Sequence, residues 1–294
     1  MQSLRGKVAA VTGGGSGIGR ALALAFAEEG MDVAIADIER DPAETVAEEV
    51  RAKGQRAFAM ACDVSDRSSV GRFADFVYNN LEAAHVVCNN AGVVAGKPTP
   101  QMTHDDWDWV MGVDLYGVIY GIQAFLPRML SQGDEGHFVN TSSITGLVPW
   151  SAPGIISYTA AKHGVVGLSE GLNLELAADK IGVTVLVPGQ IRTRIGESAR
   201  NRPTRTVVDP QPPATSPSSP TAAGGAQRLP VGAEMTLEPE DLASRVVGAV
   251  RAGDLYVFTH PATLDEINLR FEAIMQGYDW VDRALAREDS PEEA

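Results

Sequence analysis

The chain has 294 residues, 44% of them hydrophobic and 21% charged, with a formal net charge of −14. That length suits one large α/β domain with an ample buried core, and the acidic balance argues against nucleic acid or an anionic membrane surface as a partner. Only Cys62 and Cys88 occur, each near the end of an apolar run, so two reduced thiols in a cytoplasmic protein are expected rather than a disulfide framework.

The first predicted strand spans 7–12 and begins almost at the first residue, leaving no room for a signal peptide. It ends in Gly13-Gly-Gly-Ser-Gly17-Ile-Gly19, and a helical pattern near 17–29 follows without proline. Strand, glycine turn, helix is the context in which a glycine cluster holds phosphate. The backbone can approach the ligand closely, and the free N–H groups of the helix start favour an anion. Further strands are predicted near 32–37, 56–62 and 85–89, with helices near 42–53 and 66–80 between and after them. The second strand ends in Ile35-Ala-Asp37. An acidic side chain there accepts from an adenosine ribose diol and repels a 2′-phosphate. No arginine stands at position 38 or in the glycine turn, so NAD is expected over NADP.

A long helical pattern near 103–131 is apolar around much of its circumference, more than one buried face needs. It contains Val113-Asp114-Leu115. A strand near 136–142 leads to Ser142-Ser143, and a helix near 155–180 carries Ser157-Tyr-Thr-Ala-Ala-Lys-His163. Four-residue spacing places Tyr158 and Lys162 on one helix face. A free tyrosine titrates near pH 10, about three units from neutrality, and an adjacent ammonium favours its phenolate. The last elements are strands near 182–187 and 255–258, with a helix near 239–252 between them. Unbroken apolar strands such as Val183–Val187 suit a parallel sheet covered on both faces. The expected fold is therefore a doubly wound α/β fold with a seven-stranded, mostly parallel sheet, binding ligands beyond the carboxyl ends of its strands. Residues 201–230 are rich in Pro, Ser, Thr, Ala and Gly and read either as a mobile lid or as a disordered insertion. No uninterrupted apolar stretch is long enough to cross a bilayer. The five histidines lack metal-ligand spacing, so no metal site is expected.

Taken in order, Thr12-Gly13…Gly17-Ile18-Gly19, Asn89-Asn90-Ala91-Gly92, Ser142-Ser143, Tyr158…Lys162, Pro188-Gly189 and Thr193 resemble the short-chain dehydrogenase/reductase family. The resemblance runs from about Leu4 to Thr193 and more loosely beyond. It implies a Rossmann fold and reversible hydride transfer between an alcohol carbon and the nicotinamide of NAD. Tyr158 would be the general acid/base. Lys162 would lower the Tyr158 pKa and bond the nicotinamide ribose, and Ser143 would donate to the substrate oxygen. Thr145 is the alternative to Ser143, because the Ser143–Tyr158 interval exceeds the family's usual one and implies a short insertion within 147–156. Asp114 stands where the family commonly has an asparagine that supports a water through its main-chain carbonyl; it either keeps that role or helps hold Lys162 protonated. Cofactor contacts implied by the resemblance are Gly13, Ser16, Gly17, Ile18, Gly19, Asp37, Ile38, Asp63, Val64, Asn90, Ala91, Gly92, Pro188, Gly189, Ile191 and Thr193, with Tyr158 and Lys162. Substrate contacts would come from Ser143, Val94, Trp150, Ile155 and Gln190, an apolar set suited to a hydrophobic secondary alcohol or ketone.

The same resemblance implies a single domain over 1–294, with a substrate lid at 191–236, a C-terminal helical segment at 262–288, and a homodimer or homotetramer built on the two long helices. Two other readings stay open: a non-catalytic nucleotide-binding scaffold, and an epimerase or dehydratase of the extended family. The first should lack Tyr158 or Lys162. The second usually carries a different glycine spacing and a larger C-terminal domain.

Overall fold

Alternate residues of the central strands feed two different cores. In β1 (Val8–Thr12), Val8 and Ala10 pack into one hydrophobic cluster while Ala9 and Val11 pack into another. In β2 (Asp32–Asp37), Ala34 and Ala36 join the first cluster, Val33 and Ile35 the second. A strand covered on both faces needs an apolar side chain at every position, which is why these segments read as unbroken runs. The protein is seen here as a computed structural model that describes residues 1, 3–148, 154–203, 236–279 and 281.

The remaining strands are β3 (Ala57–Ala61), β4 (Val86–Asn89), β5 (Gly136–Thr141), β6 (Ile181–Val187) and β7 (Tyr256–Phe258). They lie in the order β3-β2-β1-β4-β5-β6-β7, and every neighbouring pair is parallel. The sheet is thus wholly rather than mostly parallel among the described residues. The helices are α1 (Gly17–Glu28), α2 (Arg40–Ala52), α3 (Arg67–Leu81), α4 (His104–Met111), α5 (Gly117–Gln132), α6 (Ile156–Glu175), α7 (Pro239–Ala252) and α8 (Leu264–Gln276). Phe26 of α1, Val46 of α2 and Val246 of α7 fill the core on one face, while Phe73 of α3, Phe125 of α5 and Val165 of α6 fill it on the other. Strand order reverses between β1 and β4, the switch point where such sheets open a crevice.

A capping box between Thr103 and Asp106 starts α4, and a π-helical turn, Gly112–Tyr116, joins it to α5 without a break. The resulting helix, His104–Gln132, is long and apolar enough by length and composition to cross a membrane, with mean hydropathy 1.3 over its most apolar window. This qualifies the sequence expectation, which considered only unbroken apolar runs. Half of that window is buried inside the protein, as a core helix packed against α3 and α6 must be. After β6, the chain pairs Ile191 with Leu237 and forms a 3-10 helix at Ile195–Asn201. Most of the expected lid, 204–235, lies outside the described residues. At the C-terminus, helix occupies Leu264–Gln276 within the expected 262–288, and none of its residues is buried.

Candidate active site

The site begins where β1 ends. Thr12 Oγ1 donates to Cys88 O at 3.2 Å and accepts from Asn90 N at 3.0 Å and Ala91 N at 3.2 Å, while Asn90 Nδ2 donates to Thr12 O at 3.1 Å. These bonds lash the glycine turn to the segment after β4. Gly13 has φ +63, and a Cβ there would lie 2.8 Å from Ala91 Cα, so only glycine fits this crossing. The N-cap of α1, Ser16, makes no side-chain cap bond, and the first turn of the helix holds no acidic residue. The helix start therefore keeps its N–H groups and its partial positive charge for an outside anion. Gly13, Ser16, Gly17 and Ile18 line a cleft of about 1120 Å³, open mouth included. A phosphate-bearing dinucleotide fits this cradle.

Asp37, Ile38, Asp63, Val64, Asn90, Ala91, Gly92, Tyr158, Lys162, Pro188 and Thr193 line the same cleft. Asp37 Oδ2 accepts from Gly15 N at 2.9 Å and its Oδ1 from Glu39 N at 3.0 Å. Burial raises its pKa above the ordinary carboxylate value, opposed by those two N–H donors.

At the inner end, α6 presents Tyr158 and Lys162 one turn apart, with Nζ 5.4 Å from the centre of the phenol ring. Lys162 is buried and donates to Thr141 O at 3.0 Å. The two serines after β5 divide their roles. Ser142 donates to Lys162 O at 2.8 Å and so fixes α6. Ser143 pulls the Tyr158 pKa down and accepts from Thr145 N at 3.2 Å. Thr145, the alternative to Ser143, is buried with its hydroxyl unpartnered.

Burial pushes the Tyr158 phenol up, the Asp114 charge pushes it further, and only Ser143 pulls it down. Burial also disfavours the Lys162 ammonium, and Asp114 supports it. The phenol is thus held in its protonated form, the form that can donate to a carbonyl oxygen. Asp114 sits on the π-helical turn, wholly buried. Its Oδ1 accepts from Val93 N at 2.8 Å and lies 4.0 Å from Lys162 Nζ, while Oδ2 has no hydrogen-bond partner. Burial raises its pKa to about 6 against the pull of Lys162 and the Val93 N–H.

Several expected contacts stand off the cleft wall. Gly19 abuts Gly13, since a Cβ there would lie 2.1 Å from Gly13 O. Gly189 donates to Thr259 Oγ1 at 2.9 Å and backs onto His260. Ile191 packs into the core beside α1, and Gln190 O accepts from Leu237 N. Val94, Ile155, Ser143 and Asp114 are not among the residues that line the cleft, and Trp150 lies outside the described residues. The expected lid at 191–236 spans the outer wall, but sequence reasoning did not single out its residues: Ile195, Ser198, Arg200, Asn201 and Pro203 line the cleft from the segment after β6. Arg200 pairs with Glu39, and Arg202 pairs with the buried Asp106 while its guanidinium lies 5.4 Å from the Trp109 ring centre. The visible signal was four arginines within 192–202 beside a site for an anionic ligand.

Residues 7–204 match the family model for short chain dehydrogenase. A C alpha-dehydrogenase from Sphingobium sp. is 32% identical over 299 residues, which take in 100% of this chain and 92% of that protein. A cyclohexanol dehydrogenase from Acinetobacter sp. is 36% identical over 188 residues, 64% of this chain and 74% of its own length. Among solved structures, a short chain dehydrogenase/reductase from Burkholderia phymatum in complex with NAD superposes with a TM-score of 0.82 at 32% identity, covering 94% of this chain and 97% of its own.

Proposed function

The chain belongs to the short chain dehydrogenase family and is an oxidoreductase of it, and we propose that it uses NAD to interconvert a hydrophobic secondary alcohol and its ketone. One observation carries the reading: the Tyr158 phenol, backed by Lys162, stands in the same cleft as the glycine turn. When bound, the nicotinamide supplies the hydride acceptor or donor. In the reducing direction Tyr158 gives its proton to the substrate oxygen as charge develops there, and in the oxidising direction it takes that proton back. Ser143 donates to the same oxygen and stabilises the charge. Lys162 holds the ribose end of the nicotinamide, and Asp114 positions the segment after β4 through Val93.

Asp37 favours NAD over NADP, with Gly13, Ser16, Gly17 and Ile18 at the pyrophosphate and Pro188 and Thr193 at the nicotinamide end. A hydrophobic substrate is supported by the cyclohexanol dehydrogenase relative and by the apolar Val93, Trp109 and Val113 on the wall. We further read the chain as one domain acting in the cytoplasm, with residues 191–236 as its substrate lid and a homodimer or homotetramer as its assembly.

The test is Tyr158→Phe, assayed over a panel of secondary alcohols by the absorbance of reduced nicotinamide. Turnover should fall at least about a hundredfold while NADH binding, read by its fluorescence, is nearly unchanged. Near-normal turnover in the variant would refute the mechanism.

A further inference from the structure

Arg200 lines the cleft beside Asp37 and Ile38, and its guanidinium is held along two edges. Nη1 donates to carbonyl oxygens of its own segment, Glu197 O at 3.1 Å and Arg194 O at 3.4 Å. The other edge, Nε with Nη2, donates to one carboxylate oxygen, Oε2 of Glu39, at 3.1 and 2.8 Å. Asn201 adds a third donor to that oxygen at 3.3 Å. Both side chains are less than one third exposed, 28% for Arg200 and 31% for Glu39. Glu39 follows Asp37 by two residues and donates its N–H to Asp37 Oδ1. The Arg200 charge is felt at Asp37, whose pKa it pulls down. The guanidinium is therefore fixed near Asp37 by its own backbone, independently of Glu39.

A guanidinium fork matches a phosphate as well as it matches a carboxylate. We propose that Glu39 determines cofactor specificity by masking Arg200: while the ion pair is made, a 2′-phosphate meets an occupied guanidinium edge and a second carboxylate beside Asp37. Without the Glu39 carboxylate, the Nε–Nη2 edge is free to take the phosphate, and Nη1 still holds the head at the cleft. This inference rests on the reading that Asp37 faces the adenosine ribose.

The experiment is equilibrium binding of NADH and NADPH, followed by cofactor fluorescence, on the unmodified protein and on Glu39→Gln, Glu39→Ala and Glu39→Gln with Arg200→Ala. Either single change at Glu39 should tighten NADPH about tenfold or more, the scale of one freed charge-assisted contact, and alter NADH by less than about threefold. Adding Arg200→Ala should abolish the gain. A NADPH-to-NADH ratio that neither single variant moves overturns the proposal. So does a gain that survives Arg200→Ala, which would mean that only repulsion had been relieved. Failure of the unmodified protein to bind NADH would instead sink the cofactor reading, and this inference with it.

Discussion

Asp114 places a titratable group inside the core, 4.0 Å from the Lys162 ammonium. Its pKa of about 6 means that it is charged at neutral pH and takes up a proton as the pH falls through that value. While charged, it supports the ammonium of Lys162 and disfavours the phenolate of Tyr158. Asp114→Asn removes the charge at every pH, so the Tyr158 pKa should move down. Alcohol oxidation needs the phenolate, and kcat/KM rises with pH as it forms. In Asp114→Asn that rise should therefore begin at lower pH, with most turnover retained at neutrality. A pH–rate profile checks this; an unmoved rise would show that the carboxylate does not act on the phenol. The residue itself was legible because it departs from a recognisable pattern. Its bond to Val93 N was not, since nothing in a linear text aligns two residues twenty-one positions apart.

Elements were legible where one-dimensional pattern and local chemistry coincide. The strands announced themselves as unbroken apolar runs, and the Tyr158–Lys162 pair follows from helical spacing alone. The π-helical turn at Gly112–Tyr116 had no such mark, because an extra residue in a helical turn leaves the apolar pattern almost unchanged. The clasp of Glu39 and Arg200 joins residues 161 positions apart and depends wholly on the fold. So does the buried chain in which Asn89 Nδ2 donates to Asn140 Oδ1 at 2.8 Å and Asn140 Nδ2 to Ser169 Oγ at 3.0 Å. That chain sets α6 against β4 and β5, and with it the height of Tyr158 over the sheet. Close backbone approach is a further property of elements. At Gly19 a Cβ would meet the Gly13 carbonyl carbon at 2.7 Å as well as its oxygen, and main chain cannot swing aside. Gly19→Ala should destabilise the protein by about 1–3 kcal/mol, the usual range for an overpacked site, and weaken NADH binding. Denaturant unfolding read beside a binding curve measures both; an unchanged midpoint would mean that α1 can slide away from the turn.

For the whole molecule, a net charge of −14 sets subunits against one another at long range. Apolar surface works the other way. Leu174 of α6 is 76% exposed, Leu130 of α5 is exposed, and α8 bears the exposed Leu264, Leu269, Phe271 and Ile274 with no residue of its own buried. A helix of that length is marginal in water without a partner. Light scattering at micromolar concentration should give a dimer or tetramer mass that strengthens as salt screens the charge; a monomer at every salt concentration would overturn the assembly. At this scale the Ile191–Leu237 bridge has a consequence of its own. Arg192 N donates to Leu237 O at 3.0 Å, Leu237 N to Gln190 O at 3.1 Å, and Arg192 Nε pairs with Glu238 at 2.6 Å. Residues 190–192 and 237–238 are thus held side by side. With the two ends already joined, lengthening a flexible connection between them costs little: doubling its length adds only about 0.6 kcal/mol of closure entropy. Insertions and deletions between those two ends should therefore leave the sheet almost undisturbed.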